Sequence, residues 1–296
     1  MLNLPHRIFL CCLGLSSFSV LNAQDAATAP APHQDTFISQ GYTELEAGHH
    51  EKALLAFGKV LAADGNNLEA LLGQAMIYSE QRDNEAAYRT YDRIVQLFPH
   101  NAFAWNGRGL AAFNLEDFDA ALDSFEHATA EKPTGFFLES LAWTRMCRGE
   151  FTQAAETAKQ ACLMYSQAGE KTIYPLLIAY FAYLESGDVD NARRTLSYAV
   201  ANSPSGAWPL PILKYLTGHI DTAEMLSNVT SIAQETEAHT YIGLKLRCEG
   251  DDDASKRHFD WVSKHGDRQV FEYTLARAIN LQSGVATLNL ERVAVK

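Results

Sequence analysis

From Gln34 onward the chain repeats one pattern with a period of 34 residues. Its clearest copy is "AFAWNGRGLAAFNLEDFDAALDSFEHATAEKP", where Trp105, Gly109, Ala121, Phe125, Ala128 and Pro133 set out a large residue, a small one, a small–aromatic–small stripe and a closing proline. Phe37, Gly41, Ala53, Phe57 and Val60 fill the same slots in a unit starting at Gln34. Leu71, Ala75, Tyr78, Ala87, Tyr91, Ile94 and Pro99 do so from Leu68. A fourth unit starts near Gly135, with Leu138, Ala142, Gly149, Ala154, Ala158 and Ala161. A fifth starts near Ile173, with Leu176, Tyr180, Tyr183, Gly187, Ala192, Leu196, Ala199 and Pro204. Spacings of 34, 34, 33 and 38 separate the five starts, and the excess lies in "YSQAGEKT". A unit this short cannot bury its apolar face alone, so copies must stack on one another.

The slots resemble those of the tetratricopeptide repeat, a helix–turn–helix of 34 residues. The resemblance implies an all-α fold, a right-handed superhelical solenoid of antiparallel helix pairs with a groove on one side. The physical reasons for the slots are steric. Gly or Ala in slot eight and Ala in slot twenty let paired helices lie close, large residues fill the gaps, and proline ends the second helix. Five pairs are expected over residues 35–205. Beyond them come a degenerate helical pair, "AWPLPILKYLTGHIDTAEMLSN", a clear unit from Thr236 with Gly243, Leu246, Gly250, Ser255, Phe259 and Val262, and a closing helix over residues 270–281. Residues 206–282 form this C-terminal part and 283–296 a tail.

That C-terminal part is similar to the same region of the bacterial NlpI-like tetratricopeptide lipoproteins. The shared features are Trp208–Pro209, Tyr215–Leu216–Thr217–Gly218, Glu237–Ala238 with Tyr241 and Gly243, and Phe271–Glu272–Tyr273. The resemblance implies a periplasmic adaptor that holds a protease or cell-wall hydrolase together with its client, and a homodimer is compatible with it. Phe9 and Leu10 before Cys11 depart from the small residues of a lipid-attachment motif.

The chain of 296 residues is 47% apolar and carries a formal charge of -12, which opposes binding to nucleic acid or to an anionic membrane surface. Arg7, an apolar run over residues 8–20 and then Ala23 follow the layout of a secretory signal peptide, giving residues 1–24 as the signal, with cleavage after Ala23 or Gln24. Leu21 is large for its position, so an uncleaved anchor is the alternative. The expected location is periplasmic or secreted, with membrane contact only by association or through that anchor. Residues 25–34, "DAATAPAPHQ", read as a linker. Past the signal, Cys147, Cys162 and Cys248 are odd in number and lack metal-like spacing, so no disulfide framework is implied.

No phosphate-binding loop, Gly-x-Ser-x-Gly elbow or His-Glu-x-x-His is present, and neither a cofactor nor enzymatic activity is expected. His239, His258 and His265 lie close to Cys248 and Asp260, but helix-packing positions explain them better than zinc does. The acids of "GDDDAS", like Asp83, Asp117, Glu150 and Asp188, sit where a second helix begins and read as N-caps.

What remains is the groove. In repeats of this kind it is lined by slots two, five, nine, twelve and thirteen of each first helix. Here slot nine holds Tyr42, Met76, Leu110, Trp143 and Phe181, slot twelve holds Leu45, Ser79, Phe113, Met146 and Leu184, and slot two holds Phe103, Phe136 and Tyr174. Asn106 alone matches a residue of carboxylate-gripping repeats. The expected partner-binding residues are Tyr42, Met76, Phe103, Asn106, Phe113, Phe136, Trp143 and Phe181, with Trp143 and Phe181 as the docking anchors. Neighbouring helices or a second copy of the chain are the other ways to cover such a stripe. The function expected is a non-catalytic envelope scaffold whose partners are other proteins. A secretion or outer-membrane assembly factor is the alternative, and an unrecognised envelope enzyme ranks below both.

Overall fold

A computed structural model of the chain describes residues 34–203, 206 and 208–281. The signal, most of the linker and the tail lie outside the described residues. The described part is helical without strands and divides into two compact units, one running to Pro133 and one from Thr134. That break falls inside the series of repeats, ahead of residue 205 where the sequence pattern degenerates.

The first unit holds three helix pairs: α1 (Gln34–Glu46) with α2 (His50–Ala63), α3 (Leu68–Glu80) with α4 (Asn84–Leu97), and α5 (Ala102–Asn114) with α6 (Phe118–Glu131). Small residues decide how close the helices come. Phe57 is fully buried between α1 and α3, and a Cβ at Gly41 would come within 2.5 Å of its ring, while one at Gly73 would overlap it. Gly109 stands in the same relation to Phe125, at 2.7 Å. Ala53, Ala87 and Ala121, all in slot twenty, are completely buried.

Each turn within a pair needs one residue in the left-handed region. Gly48 supplies it in the first pair, whereas Arg82 (φ 59°) and Glu116 (φ 60°) hold it in the next two. The backbone then closes by Asp83 N–H donating to Tyr78 O and Asp117 N–H to Ala112 O. The aspartates also start the following helices, Asp83 accepting from Ala86 N–H at 3.0 Å and Asp117 from Ala120 N–H at 3.1 Å.

The second unit begins with α7 (Gly135–Cys147), α8 (Phe151–Gln167), α9 (Tyr174–Glu185) and α10 (Val189–Asn202). The degenerate pair gives two short helices, α11 (Leu210–Leu216) and α12 (Thr222–Ser227). Next come α13 (Ile232–Cys248), α14 (Asp252–His265) and a closing helix α15 over residues 271–281. Asp188 and Asp251 cap as their counterparts do. Glu150 heads α8 without capping it, and its carboxylate instead accepts from Arg148 Nε at 2.6 Å.

Candidate protein-docking groove

In the first unit, the first helices of neighbouring pairs pack on one another, α1 on α3 and α3 on α5, and so form a continuous face. Tyr42 ties two of them together, its hydroxyl donating to Glu69 O at 2.9 Å. Burial and the nearby Glu69 carboxylate raise the pKa of that hydroxyl above its ordinary 10. Tyr42, Leu72, Phe103 and Leu110 are half-buried along this face. Met76, Asn106 and Phe113, expected to line the groove, are instead buried against neighbouring helices. Asn106 Oδ1 has no hydrogen-bond donor, an omission that ordinarily costs about 1–3 kcal/mol.

Acidic residues share this face, in slots that also line the groove. Asp35 and Glu69 fill slot two, and Glu46 and Glu80 fill slot thirteen. Asp35, Glu46 and Glu69 are exposed. Glu80 is half-buried, its Oε2 lying 2.6 Å from His50 Nε2 while Oε1 is buried without a donor. Burial raises its pKa, and His50 opposes the rise. Residues 34–133 carry sixteen Asp and Glu against seven Lys and Arg, compared with eighteen against fourteen in residues 134–281. The acidity of the chain is therefore concentrated in the first unit.

In the second unit the expected anchors are not available. Trp143 and Phe181 are 2% and 1% exposed because the chain's own later helices lie on them. Trp143 stacks on Phe271 of α15, and Phe181 on Tyr241 of α13 with centroids 5.8 Å apart. Polar bonds secure the cover. Tyr174 Oη and Trp208 Nε1 both donate to Glu237 Oε2, at 2.9 and 2.7 Å, and Arg247 Nε donates to Glu185 Oε1 at 3.0 Å. Tyr241 Oη donates to Glu272 Oε1 at 2.8 Å. Desolvation pushes the Glu272 carboxyl up to about 7, with the Tyr241 bond acting against it. The expectation of an exposed stripe over Trp143 and Phe181 is thus corrected, and of the lining named in this unit Phe136 and Leu184 are half-buried.

The histidines of the C-terminal part form a pair rather than a ligand set. His239 Nδ1 lies 2.9 Å from His258 Nδ1, and Trp261 stacks on His239 with centroids 3.9 Å apart. No group of three or more potential metal-binding side chains occurs among the described residues. Cys147, Cys162 and Cys248 are thiols, with no disulfide between them.

The chain carries tetratricopeptide repeats. Two family models described as tetratricopeptide repeat match residues 38–102 and 75–142. Among curated proteins, an HSC co-chaperone, sgt12, of Aspergillus fumigatus is 25% identical over 122 residues, 41% of this chain and 36% of that protein. A CTR9 homolog of Arabidopsis thaliana is 31% identical over 99 residues, 33% of this chain and 9% of that protein. The chain thus spans well under half the length of either relative. In fold it is similar to a crystal structure of MamA protein, with a TM-score of 0.53 at 22% identity, covering 64% of this chain and 96% of that one. MamA from Desulfovibrio magneticus RS-1 gives a TM-score of 0.53 at 16% identity, covering 58% and 96%. Repeats of this kind generally mediate protein–protein interactions.

Proposed function

We propose that the chain is a non-catalytic interaction scaffold of the bacterial cell envelope, holding a protein partner on the face formed by α1, α3 and α5. The observation that carries this reading is the row of half-buried apolar side chains Tyr42, Leu72, Phe103 and Leu110 on adjoining first helices. The corresponding face of the second unit is occupied by α13 and α15, which favours the first unit as the docking module. Export rests on Arg7, the apolar run and Ala23, and a protease or hydrolase partner on the likeness of the C-terminal part to NlpI-like adaptors.

The test is photo-crosslinking in cells. A benzophenone side chain at Leu72 should capture discrete partners, while one at the exposed Leu55 of α2 should not. The same products from both positions, or none from Leu72, would overturn the docking face. For export, the intact mass of the envelope-derived protein should lack the first 23 or 24 residues. A mass that includes Met1 would replace cleavage by an anchor.

A further inference from the structure

The groove of the first unit has a sign as well as a shape. Its lining slots hold Asp35, Glu46, Glu69 and Glu80 and no Lys or Arg. The seven basic residues of the unit lie on second helices or in turns, with the exception of Arg108. Arg108 sits at slot seven and is engaged there, its Nε 2.8 Å from Asp92 and its Nη1 3.2 Å from Asp123.

Helix stability does not account for this distribution. Asp35 and Glu69 lie in first turns, where the helix dipole favours an acid, but Glu46 and Glu80 end α1 and α3, where it disfavours one. Neither helix places a base in its last turn to compensate. Exposed carboxylates at Asp35, Glu46 and Glu69, interleaved with Tyr42, Leu72 and Phe103, are complementary to a segment that supplies apolar side chains and positively charged donors.

We propose that this groove binds a basic, amphipathic peptide segment of a partner protein, its leucine-like side chains set among Tyr42, Leu72 and Phe103 and its Lys or Arg side chains against Glu46 and Glu69. The proposal rests on the scaffold reading above and names the chemical class of its partner.

The experiment uses the mature full chain and two fluorescein-labelled peptides with the same leucines in helical register, one bearing lysines at the remaining positions and the other glutamates. Fluorescence anisotropy should give the lysine peptide a Kd at least about tenfold lower, with the advantage shrinking as salt shortens the reach of the charges. Glu46→Lys with Glu69→Lys, both at exposed positions, should remove most of that advantage while circular dichroism is unchanged. Glu51→Lys with Glu126→Lys makes the same change in net charge on α2 and α6 and should leave the Kd within about twofold. Equal binding of the two peptides, or binding of neither, overturns the proposal. So does an equal loss in the two variants, which would show attraction to net charge alone. Crosslinking from Leu72 to a partner whose captured segment is not basic would overturn the partner class while leaving the scaffold standing.

Discussion

The rings of Trp143 and Phe271 lie parallel, with planes 7° and centroids 6.1 Å apart, so the closing helix rests on the slot-nine residue of α7. This contact makes the second unit's repeats a closed body whose lining belongs to its own core. Phe271→Ala should lower the stability of this unit by about 2–4 kcal/mol, somewhat below the ~3–5 kcal/mol of a fully buried phenylalanine because Phe271 is half-buried. It should also shift tryptophan emission to the red as water reaches Trp143. Urea unfolding followed by fluorescence reads both. An unchanged midpoint and unchanged emission would mean that α15 does not cover Trp143.

Glu272 gives this cover a dependence on pH. Burial raises the carboxyl from 4.5 to about 7 in the fold, so the folded chain holds a proton that the unfolded chain has released. Its contribution to stability is fully present below the unfolded value and is lost as pH rises through about 7. Glu272→Gln cannot ionise, yet keeps a carbonyl to accept from Tyr241. The unfolding midpoint of the variant should therefore gain on that of the parent between about pH 5 and about pH 8. A difference that stays constant with pH would show that Glu272 titrates normally.

The histidine pair acts in the opposite direction. Desolvation first, and His258 second, lower His239 from 6.5 to about 4, so the unfolded chain binds a proton that the fold rejects. The associated stability is present above 6.5 and is lost as pH falls toward 4. His258 is lowered as well, by burial and by Arg257. His239→Phe keeps a ring for Trp261 to stack on and carries no titrating group. The parent should lose stability relative to this variant between about pH 7 and about pH 4.5, as read from urea midpoints. A parallel acid response in both chains would remove His239 from the account.

The repeat register and the helix caps were legible because they are local. Gly41 beside Phe57, Gly109 beside Phe125, and Asp83, Asp117 and Asp188 at helix starts each follow from spacing within one unit. The covering of Trp143 and Phe181 depends on helices some sixty to a hundred and thirty residues later, which a slot-by-slot reading treats as further copies. A cue was nevertheless present in α9, "YPLLIAYFAYLE", which is apolar all round until Glu185. A helix without a polar face is buried on every side, so something had to lie over Phe181. The acids of the first groove escaped for a different reason. Slot two is apolar in three units (Phe103, Phe136, Tyr174) and acidic in the first two (Asp35, Glu69), so an apolar stripe picks out the former and leaves out the acids of slots two and thirteen.

Arg82 and Glu116 offer a direct check of the turn chemistry. Both hold the left-handed conformation, φ 59° and 60°, at the position where Gly48, Gly149, Gly187 and Gly250 serve the other pairs. An L-residue with a Cβ is disfavoured there by about 1–2 kcal/mol, whereas glycine adopts this conformation without steric penalty. Glycine also makes the unfolded chain more flexible, which offsets part of the gain by about 0.5–1 kcal/mol. Arg82→Gly and Glu116→Gly should each stabilise the first unit by up to about 1 kcal/mol. The two turns serve different helix pairs, so the gains should add. Neither residue occupies a groove slot, and binding of the lysine peptide should be unaltered in the double variant. A fall in the melting temperature would mean that the arginine and glutamate side chains stabilise their turns by more than the backbone strain they impose.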